Sequence, residues 1–72
     1  MKQYSVVKIT KLNTVFKVHE NNFGSRPPRV GDIATILDVY EDAYDLECSD
    51  SDGVTIWLEM FNTSDATFEL IE

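Results

Sequence analysis

The chain of 72 residues carries thirteen acidic and six basic side chains, which give a formal net charge of −7 at pH 7. Its hydrophobic fraction of 43% and charged fraction of 26% are typical of a folded globular domain and not of a disordered tail. A chain of this length has room for one small core and none for a deep enclosed active site. We therefore expect a single domain over residues 1–72.

Residue counts exclude several other classes of protein. Cys48 is the single cysteine, which excludes an internal disulfide framework, and His19 is the single histidine, which excludes a site of several histidines around a metal ion. No apolar run approaches the roughly 20 residues of a membrane span. Lys8 and Lys11 interrupt the apolar stretch near the N-terminus, which is not the pattern of a signal peptide. We predict a cytoplasmic protein that does not bind a membrane.

Five short segments have the composition and alternation of β-strands, at 4–9, 33–40, 44–49, 54–61 and 67–71. Turn-forming residues precede or separate the last four, at 30–32, 41–43, 51–53 and 62–65. A long connection, 10–32, follows strand 1, and within it residues 14–18 either form a short strand or pack over one end of the fold. The pattern predicts an all-β protein, a small SH3-like antiparallel barrel of about five short strands with a long loop after strand 1.

Alternation within two neighbouring strands predicts how they pair. The core face of the strand at 44–49 carries Tyr44, Leu46 and Cys48, and the next strand has an all-apolar face of Val54, Ile56, Leu58 and Met60. A three-residue loop at 51–53, with Gly53 in a left-handed conformation, places Cys48 opposite Ile56 and Leu46 opposite Leu58. A two-residue loop at 42–43 joins the preceding pair and requires a bulge near Leu37.

The same register gathers acidic and aromatic side chains on the outer face, namely Asp38, Tyr40, Asp45, Glu47, Trp57 and Glu59. In this arrangement Asp38 faces Glu47 and Asp45 faces Glu59, and each like-charge pair costs a few tenths of a kcal/mol. One interpretation is that the carboxylates keep the protein soluble and discourage edge-to-edge aggregation. A second is that a cationic partner relieves the repulsion, with Trp57 and Tyr40 as anchors. A third places Trp57 beneath the 10–32 segment.

The charges are segregated along the chain. Residues 1–30 hold all six bases and one acid, whereas residues 31–72 hold twelve acids and no base. Either the basic first third folds across the acidic remainder and neutralises part of it, or an acidic face remains exposed to a basic partner. The sequence pI of about 4.4 opposes nucleic-acid binding, for which the long segment offers a basic patch of Lys11, Lys17, Arg26 and Arg29.

Catalytic and metal-binding patterns are weak. His19 and Cys48 are the residue types of a nucleophilic dyad, but Cys48 alternates with core residues. The sequence from Asp50 to Gly53 resembles the start of a calcium loop, but Phe61 occupies the twelfth position, where such a loop has glutamate. We predict no enzymatic activity, no cofactor and no metal site.

Residues 29–40, RVGDIATILDVY, are similar to the G-D-x-[GA]-T-V-x-x-V-Y segment that opens many SH3-like bacterial domains. Residues 43–48 and 50–55 are similar to the A-Y-x-V-E-F and D-x-x-G-x-T segments that follow it. Together with residues 4–8, the chain resembles the domain-of-unknown-function family 4926. The resemblance implies a small antiparallel barrel without catalytic residues. It also implies a small stand-alone bacterial protein of a kind that is sometimes connected with toxin–immunity loci.

These observations predict a non-catalytic acidic protein-binding module of immunity or inhibitor type. Its acidic-aromatic face would cover a basic surface of a partner protein such as a toxin, with fast and salt-sensitive association. The alternative is an accessory SH3-like module that binds a peptide, a larger assembly or nucleic acid through the 10–32 loop.

Overall fold

Five antiparallel strands form one sheet in the order β4-β3-β2-β1-β5. The computed structural model describes residues 1–16 and 26–72. The strands are β1 (Val6–Leu12), β2 (Ile33–Val39), β3 (Ala43–Ser49), β4 (Thr55–Asn62) and β5 (Ala66–Leu70). The predicted all-β class with five antiparallel strands is confirmed.

One face of the sheet carries the core, to which every strand contributes. The buried cluster consists of Val7, Ile9, Ala34, Ile36, Leu46, Cys48, Trp57, Phe61 and Ala66. At its centre the ring of Phe61 lies 4.5 Å from that of Phe16 and 5.6 Å from those of Trp57 and Phe68, measured between centroids. Tilted and edge-to-face contacts at these distances stabilise the core beyond the effect of area burial alone.

Three bulges interrupt the ladders. Thr10 in β1, Leu37 in β2 and Ile56 in β4 each lack a directly opposed partner. An extra residue bends its strand and shifts the alternation of the faces by one position. In β1 the shift turns Leu12 toward the core and leaves Lys11 exposed. The bulge that the sequence predicts near Leu37 is confirmed.

The β3–β4 hairpin has the predicted turn but not the predicted register. The Asp50 N–H donates to the Val54 carbonyl oxygen at 2.9 Å, and Gly53 has a φ of 82°, as a three-residue loop with a left-handed glycine requires. Directly after this turn comes the bulge, since Ser49 pairs with Thr55 but Cys48 pairs with Trp57. The predicted pairs of Cys48 with Ile56 and of Leu46 with Leu58 are therefore wrong by one residue.

The shift reverses the faces of β4. Trp57 is buried with 2% of its surface exposed, whereas Leu58 and Met60 point outward. Trp57 and Phe61 offer more apolar area to the core than Leu58 and Met60 do, and aromatic rings also gain from contacts with other rings. Ile56 still packs against the core from the bulge, so one aliphatic side chain of the predicted face keeps its core contact.

The β2–β3 hairpin turns one residue earlier than predicted. The Tyr40 N–H donates to the Ala43 carbonyl oxygen at 2.8 Å, so the two-residue loop is 41–42 and not 42–43. Ile36 consequently pairs with Leu46, and Asp38 pairs with Asp45 instead of Glu47.

The connection after β1 is described at its two ends only. Residues 13–16 are not in a strand, and Phe16 packs on Phe61 of the core. The rest of the 14–18 segment lies outside the described residues.

Candidate functional site

An open groove lies on the outer face of β2, β3 and β4. It has a volume of about 330 Å³ and is lined by Leu37, Asp38, Asp45, Leu58, Glu59 and Met60. We call these six residues the acidic groove. The bulge in β2 supplies the Leu37 wall, and the bulge in β4 turns Leu58 and Met60 to this side of the sheet. The groove therefore combines the carboxylates of Asp38 and Asp45 with three exposed apolar side chains, whereas Glu59 lies between Leu58 and Met60 in β4 and shares the opposite face with Trp57 and Phe61.

A like-charge pair faces the solvent at this groove. Asp38 and Asp45 are directly opposite each other on β2 and β3. Side chains of such pairs have Cβ atoms roughly 4.5–5.5 Å apart, and two carboxylates at this separation repel each other. A cation seated between them would remove that repulsion.

Tyr40 joins the groove through Asp45. Its hydroxyl donates to Asp45 Oδ2 at 2.7 Å, while 46% of the residue remains exposed. This hydrogen bond to a carboxylate, with smaller contributions from desolvation and the nearby negative charges, raises the pKa of Tyr40 above its ordinary value. The phenol therefore stays a neutral donor that holds Asp45 in place.

Glu47 lies beside the groove and is turned toward the β3–β4 hairpin. Its Oε2 accepts hydrogen bonds from Thr55 Oγ1 at 2.8 Å and from Ser49 Oγ at 2.5 Å. Of the six residues predicted for the site, Asp38 and Asp45 line the groove on the outer face, Tyr40 contacts it and Glu47 is adjacent. Glu59 lines the groove between Leu58 and Met60, but it pairs with Leu46 and shares the face of Trp57. Trp57 is not part of this surface, because its ring belongs to the core on the other side of the sheet.

Buried Trp57 is held by a polar network that the sequence analysis did not predict. Its Nε1–H donates to Asp32 Oδ2 at 2.8 Å. The guanidinium of Arg26 binds both oxygens of the same carboxylate, at 2.9 Å and 2.7 Å, and the Arg29 N–H donates to it at 2.9 Å. The sequence signal is Asp32 directly after Gly31, which by itself indicates only a turn. The network fastens the end of the long connection to the core.

The ionisation of Asp32 reflects two opposing effects. Burial raises the pKa of this carboxyl, but hydrogen bonds from Arg26, Trp57 and the Arg29 N–H, together with the positive charge of Arg26, outweigh it. The net pKa of Asp32 lies below its usual range, and that of Arg26 is raised, chiefly by its hydrogen bond to Asp32. Both shifts favour the ion pair, so this arginine is committed to an internal partner.

Cys48 and Asp50, which were considered for catalysis and metal binding, have structural surroundings. Burial raises the pKa of the Cys48 thiol, and the negative charge of Asp32 adds to this. His19, the other half of the proposed dyad, lies outside the described residues. Asp50 Oδ1 accepts the N–H groups of Asp52 and Val54 at 2.9 and 3.0 Å, which is a turn-stabilising role. Across residues 1–16 and 26–72, no three potential metal ligands come together.

The bases of β1 lie away from the groove. Lys8 faces Glu69 on β5 and Ile33 on β2, and the strand order places β2 between β1 and the acidic strand β3. Lys8 therefore lies beside β5 and is separated from Asp45 of the acidic groove by β2.

Comparison with protein-family models, with curated proteins and with solved structures finds no match to this chain. The resemblance to the domain-of-unknown-function family 4926 therefore stays a prediction. Among the residues that the structure describes, no helix has the length and apolar character needed to cross a membrane.

Proposed function

We propose that this protein is a non-catalytic binding module whose acidic groove covers a basic surface of a partner protein, as an inhibitor or immunity protein does. The observation that carries the proposal is the opposed pair Asp38–Asp45 beside exposed Leu37, Leu58 and Met60. Apolar contact supplies affinity, and the carboxylates select a cation and exclude acidic partners. The proposal differs from the sequence-based hypothesis in its anchors, which are aliphatic side chains and Tyr40 in place of Trp57.

The net charge of −7 supports the same function. A strongly acidic protein attracts a basic partner over distances of about a Debye length, which increases the association rate at low salt. The partner's arginine or lysine side chains would lie between Asp38 and Asp45, where the like-charge repulsion is largest. A toxin with a basic nucleic-acid-binding surface has the required chemistry.

The proposal extends to the fold and the location. We propose that the five-stranded sheet curls into an SH3-like barrel, because three bulges bend it and every strand contributes to one buried cluster. We also propose a cytoplasmic location, where the buried thiol of Cys48 stays reduced.

Two matched variants test the binding function. Asp45→Asn removes one charge from the groove and keeps an oxygen that accepts the Tyr40 hydroxyl, whereas Asp52→Asn removes the same charge from the exposed β3–β4 turn. Immobilised wild-type protein and both variants would be incubated with a native lysate at about 0.05 M and 0.5 M salt, and captured proteins would be quantified by mass spectrometry. We expect a basic partner that is lost at high salt, weakened by Asp45→Asn and retained by Asp52→Asn.

The same experiment can contradict the proposal. Capture of an acidic partner, or equal retention by Asp45→Asn and Asp52→Asn, would show that the groove is not the binding surface.

A further inference from the structure

β4 ends the sheet on the side of the acidic groove. The strand order places β3 on one side of it, and no described strand lies on the other. An edge strand presents backbone N–H and C=O groups that a further strand can pair with.

The alternation of hydrogen bonds between β3 and β4 shows which residues of β4 point their backbone groups outward. The Thr63 N–H donates to the Asp42 carbonyl oxygen at 2.9 Å, in the same register that pairs Tyr44 with Phe61. In an antiparallel ladder every second pair exchanges hydrogen bonds, so Phe61 and Glu59 bond to β3. Met60 lies between these two residues, and Leu58 precedes Glu59. Leu58 and Met60 therefore direct their backbone N–H and C=O groups away from β3.

The free stretch of this edge is short. On one side the bulge at Ile56 interrupts the strand, and on the other Asn62 uses its N–H and C=O in a turn with Asp65, at 2.9 Å each. The outward backbone groups of Leu58 and Met60 are left between these limits. Their side chains are also exposed and line the acidic groove.

The groove identifies the chemistry of the added strand. A chain paired with β4 lies two strand spacings, about 10 Å, from β3, and its side chains alternate between the two faces of the sheet. Long basic side chains on the groove face would extend over Leu58 and Met60 toward Asp45. A second copy of this chain is a poor occupant, because antiparallel pairing of two β4 edges brings two acidic grooves together.

We propose that an extended basic segment of the partner adds to β4 as a sixth strand, with arginine or lysine at alternate positions over the acidic groove. This mode of binding rests on the proposed function, since it uses the same groove and the same class of partner. Main-chain hydrogen bonds to Leu58 and Met60 provide affinity, and the alternate basic side chains provide specificity.

The test uses a fluorescently labelled, blocked heptapeptide that alternates threonine and arginine. Met60→Pro removes the outward N–H and leaves the ladder to β3 intact, because proline is tolerated where an edge N–H faces solvent. Met60→Thr removes the same side chain and keeps the N–H. Fluorescence anisotropy at low salt should show about tenfold weaker binding for Met60→Pro than for Met60→Thr, which corresponds to one lost hydrogen bond.

Hydrogen exchange on the wild-type protein provides a readout that needs no variant. The amides of Leu58 and Met60 should exchange rapidly in the free protein and become protected by the peptide, while the Phe61 amide is protected in both states. Equal binding by the two Met60 variants together with unprotected Leu58 and Met60 amides would overturn strand addition. If Asp45→Asn then still weakens binding of the peptide, the proposed function of the groove stands without strand addition. If the wild-type protein does not bind the peptide, strand addition by a basic segment is refuted.

Discussion

The hydrogen bonds that Asp32 accepts should make its carboxylate important for the stability of the fold. Asp32→Ala removes the acceptor of the Trp57 indole N–H and both bonds of the Arg26 guanidinium. Trp57 is 2% exposed, so loss of the carboxylate removes the acceptor of a buried indole N–H, and an unsatisfied buried donor costs about 1–3 kcal/mol. The Arg26 side chain is 23% exposed and regains part of its hydration, which limits the additional loss.

The expected destabilisation by Asp32→Ala is about 2–4 kcal/mol at pH 7. A domain of this size has a free energy of unfolding of roughly 4–10 kcal/mol, so the variant loses a large part of it. Urea denaturation followed by far-UV circular dichroism measures the change without relying on the fluorescence of Trp57. Asp52→Ala is the matched control, because it removes an exposed carboxylate from a turn and should change stability by less than about 0.5 kcal/mol.

The pH dependence gives this prediction a second test. The folded pKa of Asp32 is lowered, so the unfolded chain binds the proton more readily. The stabilisation by the carboxylate is thus fully present above the unfolded pKa of about 3.9 and is lost as pH falls through the lower folded value. The difference between wild type and Asp32→Ala should therefore shrink between about pH 4 and pH 2. A difference that is near zero at pH 7, or that persists unchanged at pH 2, would refute our account of the network.

Three further predictions address the hairpin, the groove and the thiol. Gly53→Ala should destabilise the protein by about 1–2 kcal/mol in urea denaturation, because the φ of 82° disfavours a Cβ although the surrounding space is open; an unchanged midpoint would contradict this. Asp38→Lys should stabilise the protein by about 0.5–1 kcal/mol at low salt and less at 1 M salt, since an attractive pair with Asp45 replaces a repulsive one. Asp52→Lys controls for the change in net charge, and an equal gain in stability from it would argue against the effect of the pair. Cys48 should react with a thiol reagent much more slowly in the native protein than in urea, because it is buried and its pKa is raised, and equal rates would show that it is accessible.

Much of the architecture was predictable because its signals are local. Alternation identified five strands, and the turn chemistry around Gly53 identified the hairpin loop, since only a few backbone conformations close a three-residue turn. The bulge at Leu37 was predictable because the faces of β2 could not otherwise match those of β3. The inner face of β3 was correct for the same reason, as Leu46 and Cys48 are both buried.

The register of β4 was not predictable by this reasoning. The strand has two faces that can both pack against a core, one with Leu58 and Met60 and one with Trp57 and Phe61. Alternation alone favours the uniformly apolar face, because Glu59 interrupts the other one. The choice depended on Phe16 and Phe68, which are distant in sequence and surround Phe61 in the fold.

The candidate site followed the register. Asp38, Asp45 and Glu59 are predicted to share a surface; Asp38 and Asp45 do lie together on the outer face, whereas Glu59 lines the groove between Leu58 and Met60 but shares the opposite face with Trp57. The side chains of β4 predicted beside these carboxylates are wrong, since a slip of one residue exchanges every side chain of a strand between the two faces. The exposed walls formed by Leu58 and Met60 were therefore assigned to the core by the sequence analysis.

The sequence by itself determined the strand class, the turns and the concentration of negative charge in the second half of the chain, because these depend on neighbouring residues and on composition. Only the tertiary structure decided that the indole of Trp57 points inward and that Asp32 and Arg26 hold it. The physical reason is that a bulge costs little locally, whereas burial of two aromatic rings and the pairing of a buried N–H depend on contacts between residues far apart in the chain.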